Sequence, residues 1–286
     1  MANPLQRNPI AIGLLLYLCF FQLTVYRHAL DQQCDENHLS SKSRQSTTTR
    51  KKLAPQRWRR FSNETVRVPY PIFLTSLPKS GTTSLWKFFQ CGGVLASHQY
   101  VKRHPNEKPS ATGRCIQDNI WAGRPPFYHC GKYDVYTDTG FLVYSHRGGE
   151  RCFYPSIDGL NELYESYPTM TFVNVVRNAS DWFTSLVNWS NGSLFTRFRL
   201  CNMTGNPGGI GNENDFIEFY QWQNDRVRAF VKEHPSLTYI EVELESPETG
   251  RILSEATGIE ASCWRKCRPQ TTECNETETR ASTSHS

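Results

Sequence analysis

The sequence predicts an α/β fold, a mostly parallel sheet flanked by helices, preceded by an apolar anchor and a polar stem. Three observations carry this prediction. Two short apolar runs, Pro71–Leu77 and Met170–Val176, each end at a basic loop and lead directly into a helical pattern, which is the order expected where strands alternate with helices in a parallel sheet. A third strand-like run, Leu237–Val242, follows a stretch from Asp215 to Glu233 in which Phe216, Phe219, Tyr220, Val227 and Phe230 recur at helical spacing.

The 286 residues suffice for one well-buried domain of roughly 200 residues with polar extensions. A net charge of +5 suits an anionic ligand without calling for nucleic acid. Nine of the ten cysteines follow the first apolar run, a usage that favours an oxidising compartment and disulfides. A zinc site would need a second ligand pair beside Cys263 and Cys267, and the sequence supplies none.

Residues 1–9 read as a short cytosolic tail. Residues 10–26 are mostly apolar, at the lower end of the ~17–25 residues a spanning helix needs. The run is longer than the apolar core of a cleaved signal peptide and lacks a small-residue cleavage site, so an uncleaved signal anchor is expected, with a cleaved peptide as the alternative. Residues 27–68 read as a disordered stem, rich in Ser, Thr, Lys and Arg, with eight basic and no acidic side chains from Lys42 to Arg60.

The folded domain is expected over residues 69–268. After the first strand, Leu85, Phe88 and Phe89 define one face of a helix that Gly92 and Gly93 stop. Residues 94–160, with many aromatics, Gly, Pro and three cysteines, read as irregular substrate loops tied by disulfides. A helix from about Asp181 to Trp189 follows the second strand, and residues 269–286 read as a polar tail.

The first loop is Pro78-Lys79-Ser80-Gly81-Thr82-Thr83. At a strand end feeding a helix, it aims backbone N–H groups, a helix N-terminus, hydroxyls and an ammonium at one point, and that point suits a phosphate. The sheet is thus P-loop-like, although the loop is not a Walker A sequence, because its lysine precedes the glycine. A P-loop kinase would also need a magnesium-binding carboxylate on a neighbouring strand, and no such signal is present.

The segment Leu77-Pro78-Lys79-Ser80-Gly81-Thr82-Thr83-Ser84-Leu85 resembles the 5′-phosphosulfate loop of the sulfotransferases that use 3′-phosphoadenosine 5′-phosphosulfate (PAPS). Val175-Val176-Arg177-Asn178-Ala179-Ser180-Asp181-Trp182-Phe183-Thr184-Ser185 resembles that family's 3′-phosphate segment, in which a strand-end arginine precedes a helical serine by eight residues. The resemblance spans about residues 70–268 and is closest to the membrane-bound Golgi branch that acts on carbohydrates, including heparan-type glycans.

This resemblance implies a sulfotransferase fold and sulfuryl transfer from PAPS to a hydroxyl, releasing 3′,5′-adenosine bisphosphate. It implies donor contacts from Lys79, Ser80, Gly81, Thr82, Thr83, Ser84, Arg177 and Ser185. The family's C-terminal basic loop corresponds to Cys263–Arg268, a stretch that departs from the family pattern and offers Arg265 and Lys266. Lys79 would stabilise charge on the leaving oxygen, and no metal is required. A base must take the acceptor proton. His98, 19 residues after Lys79, is one candidate and Asp138, where heparan-type relatives meet substrate, is the other.

The expected acceptor is a glycan or polysaccharide in the Golgi lumen, with tyrosyl peptide or a small lipid as alternatives. A non-catalytic glycan-binding protein of the same fold is the rival from another class. Six Asn-x-Ser/Thr sequons begin at Asn63, Asn178, Asn188, Asn191, Asn202 and Asn275. Oligomeric state has no sequence signature here.

Overall fold

A central strand of three fully buried residues, β1 (Ile72–Leu74), anchors a five-stranded parallel sheet in a computed structural model of the chain. The structure describes residues 55–63, 66–103, 106–145, 149–205, 211–267 and 274–275. The expected cytosolic tail and anchor, most of the stem, and residues 276–286 lie outside the described residues. Among those described, no helix is long and apolar enough to cross a membrane.

The other strands of the sheet are β2 (Ala96–Ser97), β5 (Val135–Tyr136), β8 (Thr171–Val176) and β9 (Thr238–Glu243), in the order β2-β5-β1-β8-β9. Because β1 lies between the earlier-formed half (β2, β5) and the later half (β8, β9), the chain crosses from one half to the other beside it. A loop at the carboxyl end of β1 therefore opens on the crevice where α/β sheets bind ligands.

Side-chain alternation sorts the core into two layers. Ile72 and Leu74 of β1 join Val173 and Val175 of β8 on one face, against Leu85, Phe88 and Phe89 of helix α1 (Thr82–Cys91). Phe73 and Phe172 point to the other face, where Ile116 and Ile120 of α2 (Thr112–Trp121) cover them. A third cluster gathers Trp182, Phe198, Phe216 and Tyr220 from α5 (Ala179–Asn188), α6 (Ser193–Leu200) and α7 (Glu213–Glu233). Helix α8 (Thr249–Thr257) packs beside β9 on the first face.

The structure corrects the reading of residues 94–160 as irregular. The stretch contains α2, the antiparallel pairs β3 (Tyr100–Val101) with β4 (Ser110–Ala111) and β6 (Phe141–Ser145) with β7 (Gly149–Phe153), and α3 (Pro155–Asp158). Helix α4 (Leu160–Ser166) follows directly. Helix α2 escaped notice because its buried side carries Thr112, Gly113, Gln117 and Asn119, which break any apolar stripe.

The end of the expected stem is also part of the fold. Trp58 Nε1 and the backbone N–H groups of Phe61 and Ser62 all donate to the buried Asp134 carboxylate, at 2.9, 2.9 and 2.5 Å. A buried carboxylate needs such donors, so residues 56–62 act as a strap of the fold, and the expected stem does not extend to residue 68. At the other end, β11 (Cys274–Asn275) pairs with β10 (Lys266–Cys267), so the stretch read as a polar tail contains a returning strand.

Among the described residues three disulfides join Cys91 to Cys263, Cys115 to Cys130 and Cys152 to Cys201. Cys263 is thus bonded to Cys91 and holds no free thiolate for a metal.

Candidate functional site

Each of the five parallel strands delivers a polar residue of the site just beyond its carboxyl end. Lys79 follows β1, His98 follows β2, Asp138 follows β5, Arg177 follows β8 and Glu245 follows β9. A cavity of about 900 Å³ runs along this edge, lined by Pro78, Lys79, Gly81 to Ser84, His98, Asp138, Arg177 and Ser185. Residues that are 106 positions apart in sequence, Lys79 and Ser185, therefore share one chamber.

The loop after β1 is held from behind. Ser76 Oγ donates to Asn174 Oδ1 at 3.1 Å and accepts from Val175 N at 2.6 Å, tying the chain to β8. The Trp182 indole donates to the Pro78 carbonyl at 2.8 Å. Trp182 stacks on Tyr220 at 4.6 Å, and the Tyr220 hydroxyl accepts from the Arg177 backbone N–H at 3.0 Å and from Ser80 Oγ at 3.5 Å.

Backbone shape matters at two positions. Lys79 adopts φ +71, a left-handed conformation that a side-chain-bearing residue enters at a cost of about 1 kcal/mol or more. Gly81, at φ +103, caps α1, and a Cβ there would stand 2.8 Å from Leu244 Cδ1 and 3.1 Å from Val175 Cγ1. Only glycine fits. No side chain caps α1, so its first N–H groups remain available to an anion.

Of the expected donor contacts, Lys79, Gly81, Thr82, Thr83, Ser84, Arg177 and Ser185 line the cavity, and Ser80 does not. Ser80 is fully buried with its hydroxyl turned to Tyr220, so its role is to brace the loop. Arg265 is exposed beyond Trp264 and does not line the cavity, while Lys266 lies in the short strand β10.

Burial of the Lys79 ammonium, reinforced by the Arg177 charge and opposed by Asp138, brings its pKa down to about 8. The Arg177 guanidinium donates from Nη1 to the Lys79 carbonyl at 3.1 Å and pairs through Nη2 with Glu245 at 2.9 Å. Its Nε and the Ser185 hydroxyl are both buried and have no hydrogen-bond partner. Eight buried side-chain polar atoms lack a partner among the described residues, and only these two belong to residues lining the cavity. In residues lining one cavity beside a helix N-terminus, they fit the oxygens of a phosphate.

The two candidate bases prove to be neighbours. His98 Nε2 lies 3.3 Å from Thr83 Oγ1 and 3.8 Å from Asp138 Oδ2, with side chains 28% and 19% exposed. Burial lowers the His98 pKa against the pull of Asp138. Burial likewise raises that of Asp138 against the pull of His98 and Lys79. A neutral imidazole able to accept a proton thus sits beside a carboxylate able to hold the resulting imidazolium.

Three further lining residues carried no sequence signal: Arg114 of α2, Arg197 of α6 and Tyr154. Glu245 and Tyr220 were missed for the same reason, since their roles arise only from packing.

No known family model matches the chain, and no curated protein matches it.

Proposed function

We propose that the chain is a PAPS-dependent sulfotransferase of the Golgi lumen, acting on a hydroxyl of a glycan or polysaccharide. The observation that carries this reading is the pairing, across one cavity, of the Lys79–Thr83 loop with the unpartnered Arg177 Nε and Ser185 Oγ. One anion-binding element suits many nucleotides. Two, on adjacent strands, suit a nucleotide phosphorylated at both ends. The disulfides fit an oxidising lumen.

In the proposed reaction the acceptor hydroxyl attacks the sulfur as His98 Nε2 takes its proton. A new O–S bond forms, the bond from sulfur to the bridging phosphate oxygen breaks, and 3′,5′-adenosine bisphosphate leaves. Lys79 and the N–H groups at the start of α1 face the charge that grows on that oxygen, a type of stabilisation typically worth ~10²–10³ in rate per donor. Asp138 steadies the imidazolium. No residue in this sequence of roles requires a metal ion.

Incubating the full-length chain with PAPS carrying radiolabelled sulfate and a panel of glycans, tyrosyl peptides and lipids tests the reading. Label should pass to a glycan. Absence of label on every acceptor class, together with failure to bind 3′,5′-adenosine bisphosphate, would refute it and favour a glycan-binding protein that performs no transfer.

A further inference from the structure

Glu245 is the one carboxylate paired with Arg177 among the described residues, and it has no place in the reaction above. Its position is not an accident of a wandering loop. Val176 pairs with Glu243 in the parallel register of β8 and β9, and the Leu244 N–H donates to the Val176 carbonyl at 2.7 Å. Continued one step, that register sets Leu244 level with Arg177 and Glu245 one residue beyond it. The resulting Arg177–Glu245 contact, at 2.9 Å, is 14% exposed on the arginine side and 28% on the glutamate side.

A guanidinium has five N–H donors. Here one is spent on the Lys79 carbonyl and one on Glu245, while Nε is buried without a partner. An anion arriving at Nε therefore shares its cation with a fixed negative charge a few ångströms away. In the partly buried setting that repulsion is felt strongly. Without a ligand the same carboxylate balances Arg177, whose charge adds, after burial and against Asp138, to the lowering of the Lys79 pKa.

We propose that Glu245 limits how tightly Arg177 holds a 3′-phosphate, so that the spent bisphosphate nucleotide can leave. The proposal rests on the donor-site reading above. Glu245 acts through Arg177 and is a positioning residue. Its carboxylate opposes the 3′-phosphate through its contact with Arg177.

The test is equilibrium binding of 3′,5′-adenosine bisphosphate and of adenosine 5′-monophosphate to the full-length chain, as wild type, Glu245→Gln, Arg177→Ala and the double variant. Glutamine keeps an oxygen that can accept from Arg177 and removes only the charge. Glu245→Gln should tighten the bisphosphate about tenfold and leave the monophosphate unchanged. The gain should shrink at high salt and vanish in the Arg177→Ala background. Release of the bisphosphate, followed by stopped flow, should slow in the same proportion.

A purely structural role would weaken both ligands, and that result overturns the proposal, as does equal tightening of both. A wild-type chain that binds the two nucleotides equally well refutes the donor-site reading itself, and this inference falls with it. Bisphosphate preferred by wild type but unaltered by Glu245→Gln refutes this inference alone.

Discussion

The Nη1 group of Arg177 donates to the backbone carbonyl of Lys79 at 3.1 Å across 98 residues of sequence, so the two elements proposed to hold the donor are joined directly. The carbonyl it bonds belongs to a residue at positive φ. A change to Arg177 should therefore disturb the loop as well as remove a charge.

Lys79→Ala should abolish sulfuryl transfer, with a loss of at least about 10² in kcat, while thermal unfolding stays close to wild type, because Lys79 belongs to none of the three hydrophobic clusters. In the wild type the ammonium loses its proton near pH 8. Since the cation is the useful form, kcat/KM should fall as pH rises through about 8, well below the ordinary lysine range. A profile flat to pH 10 contradicts this role.

His98→Ala should lower kcat by about 10²–10⁴ with donor affinity nearly unchanged. Since burial depresses the His98 pKa, wild-type activity should persist below the usual histidine range and fail only at more acidic pH, where the imidazole becomes protonated. Asp138→Asn should shift that acid limb further down, because it removes the charge that favours imidazolium. If His98→Ala stays active and Asp138→Asn is dead, the base is Asp138.

Gly81→Ala should weaken nucleotide binding and destabilise the fold by about 1–3 kcal/mol, since the new methyl would meet Leu244 at 2.8 Å in a conformation alanine resists. Urea unfolding and bisphosphate titration read the two effects separately. Unchanged stability would mean that the loop relaxes freely.

Asn178 should carry no glycan, although its sequon is valid. Its side chain accepts from Ser180 N at 3.0 Å and Asp181 N at 3.2 Å, capping α5 beside Arg177. Glycopeptide mass spectrometry of material from the secretory pathway should find Asn63 occupied and Asn178 empty. Asn178→Ala should cost about 1 kcal/mol of stability through loss of the cap.

Reducing agent should lower the melting temperature, because three bridges constrain the unfolded chain and removing even one typically costs about 2–5 kcal/mol. An unchanged melting temperature in strong reductant contradicts this.

What could be read in the sequence was what local chemistry dictates. The strands of residues 72–74 and 171–176 are buried on both faces and so appear as unbroken apolar runs. Arg177 and Ser185 are legible together because their segment resembles the 3′-phosphate segment of the sulfotransferases, a resemblance with which a spacing of about two helical turns is consistent. Helix Thr249–Thr257 was not, since its buried side includes Thr249, Gly250 and Thr257. Nor could sequence separate Trp58 from the basic stem around it, because its partner Asp134 is 76 residues away. Tyr220 looked like one more apolar position in a helix, and only the fold shows its hydroxyl bracing Ser80 and Arg177.

The bond between Cys91 and Cys263 spans 172 residues and closes a ring that contains His98, Asp138, Arg177 and Glu245. A protease cutting once anywhere inside that ring leaves both fragments attached, so a nicked molecule migrates at full size until it is reduced. The ring also sets an order of events during synthesis. The helix that follows the Lys79 loop is made early, yet its far end stays unbolted until residue 263 has emerged. A chain stalled before that point holds the whole carboxyl edge of the sheet without its clasp.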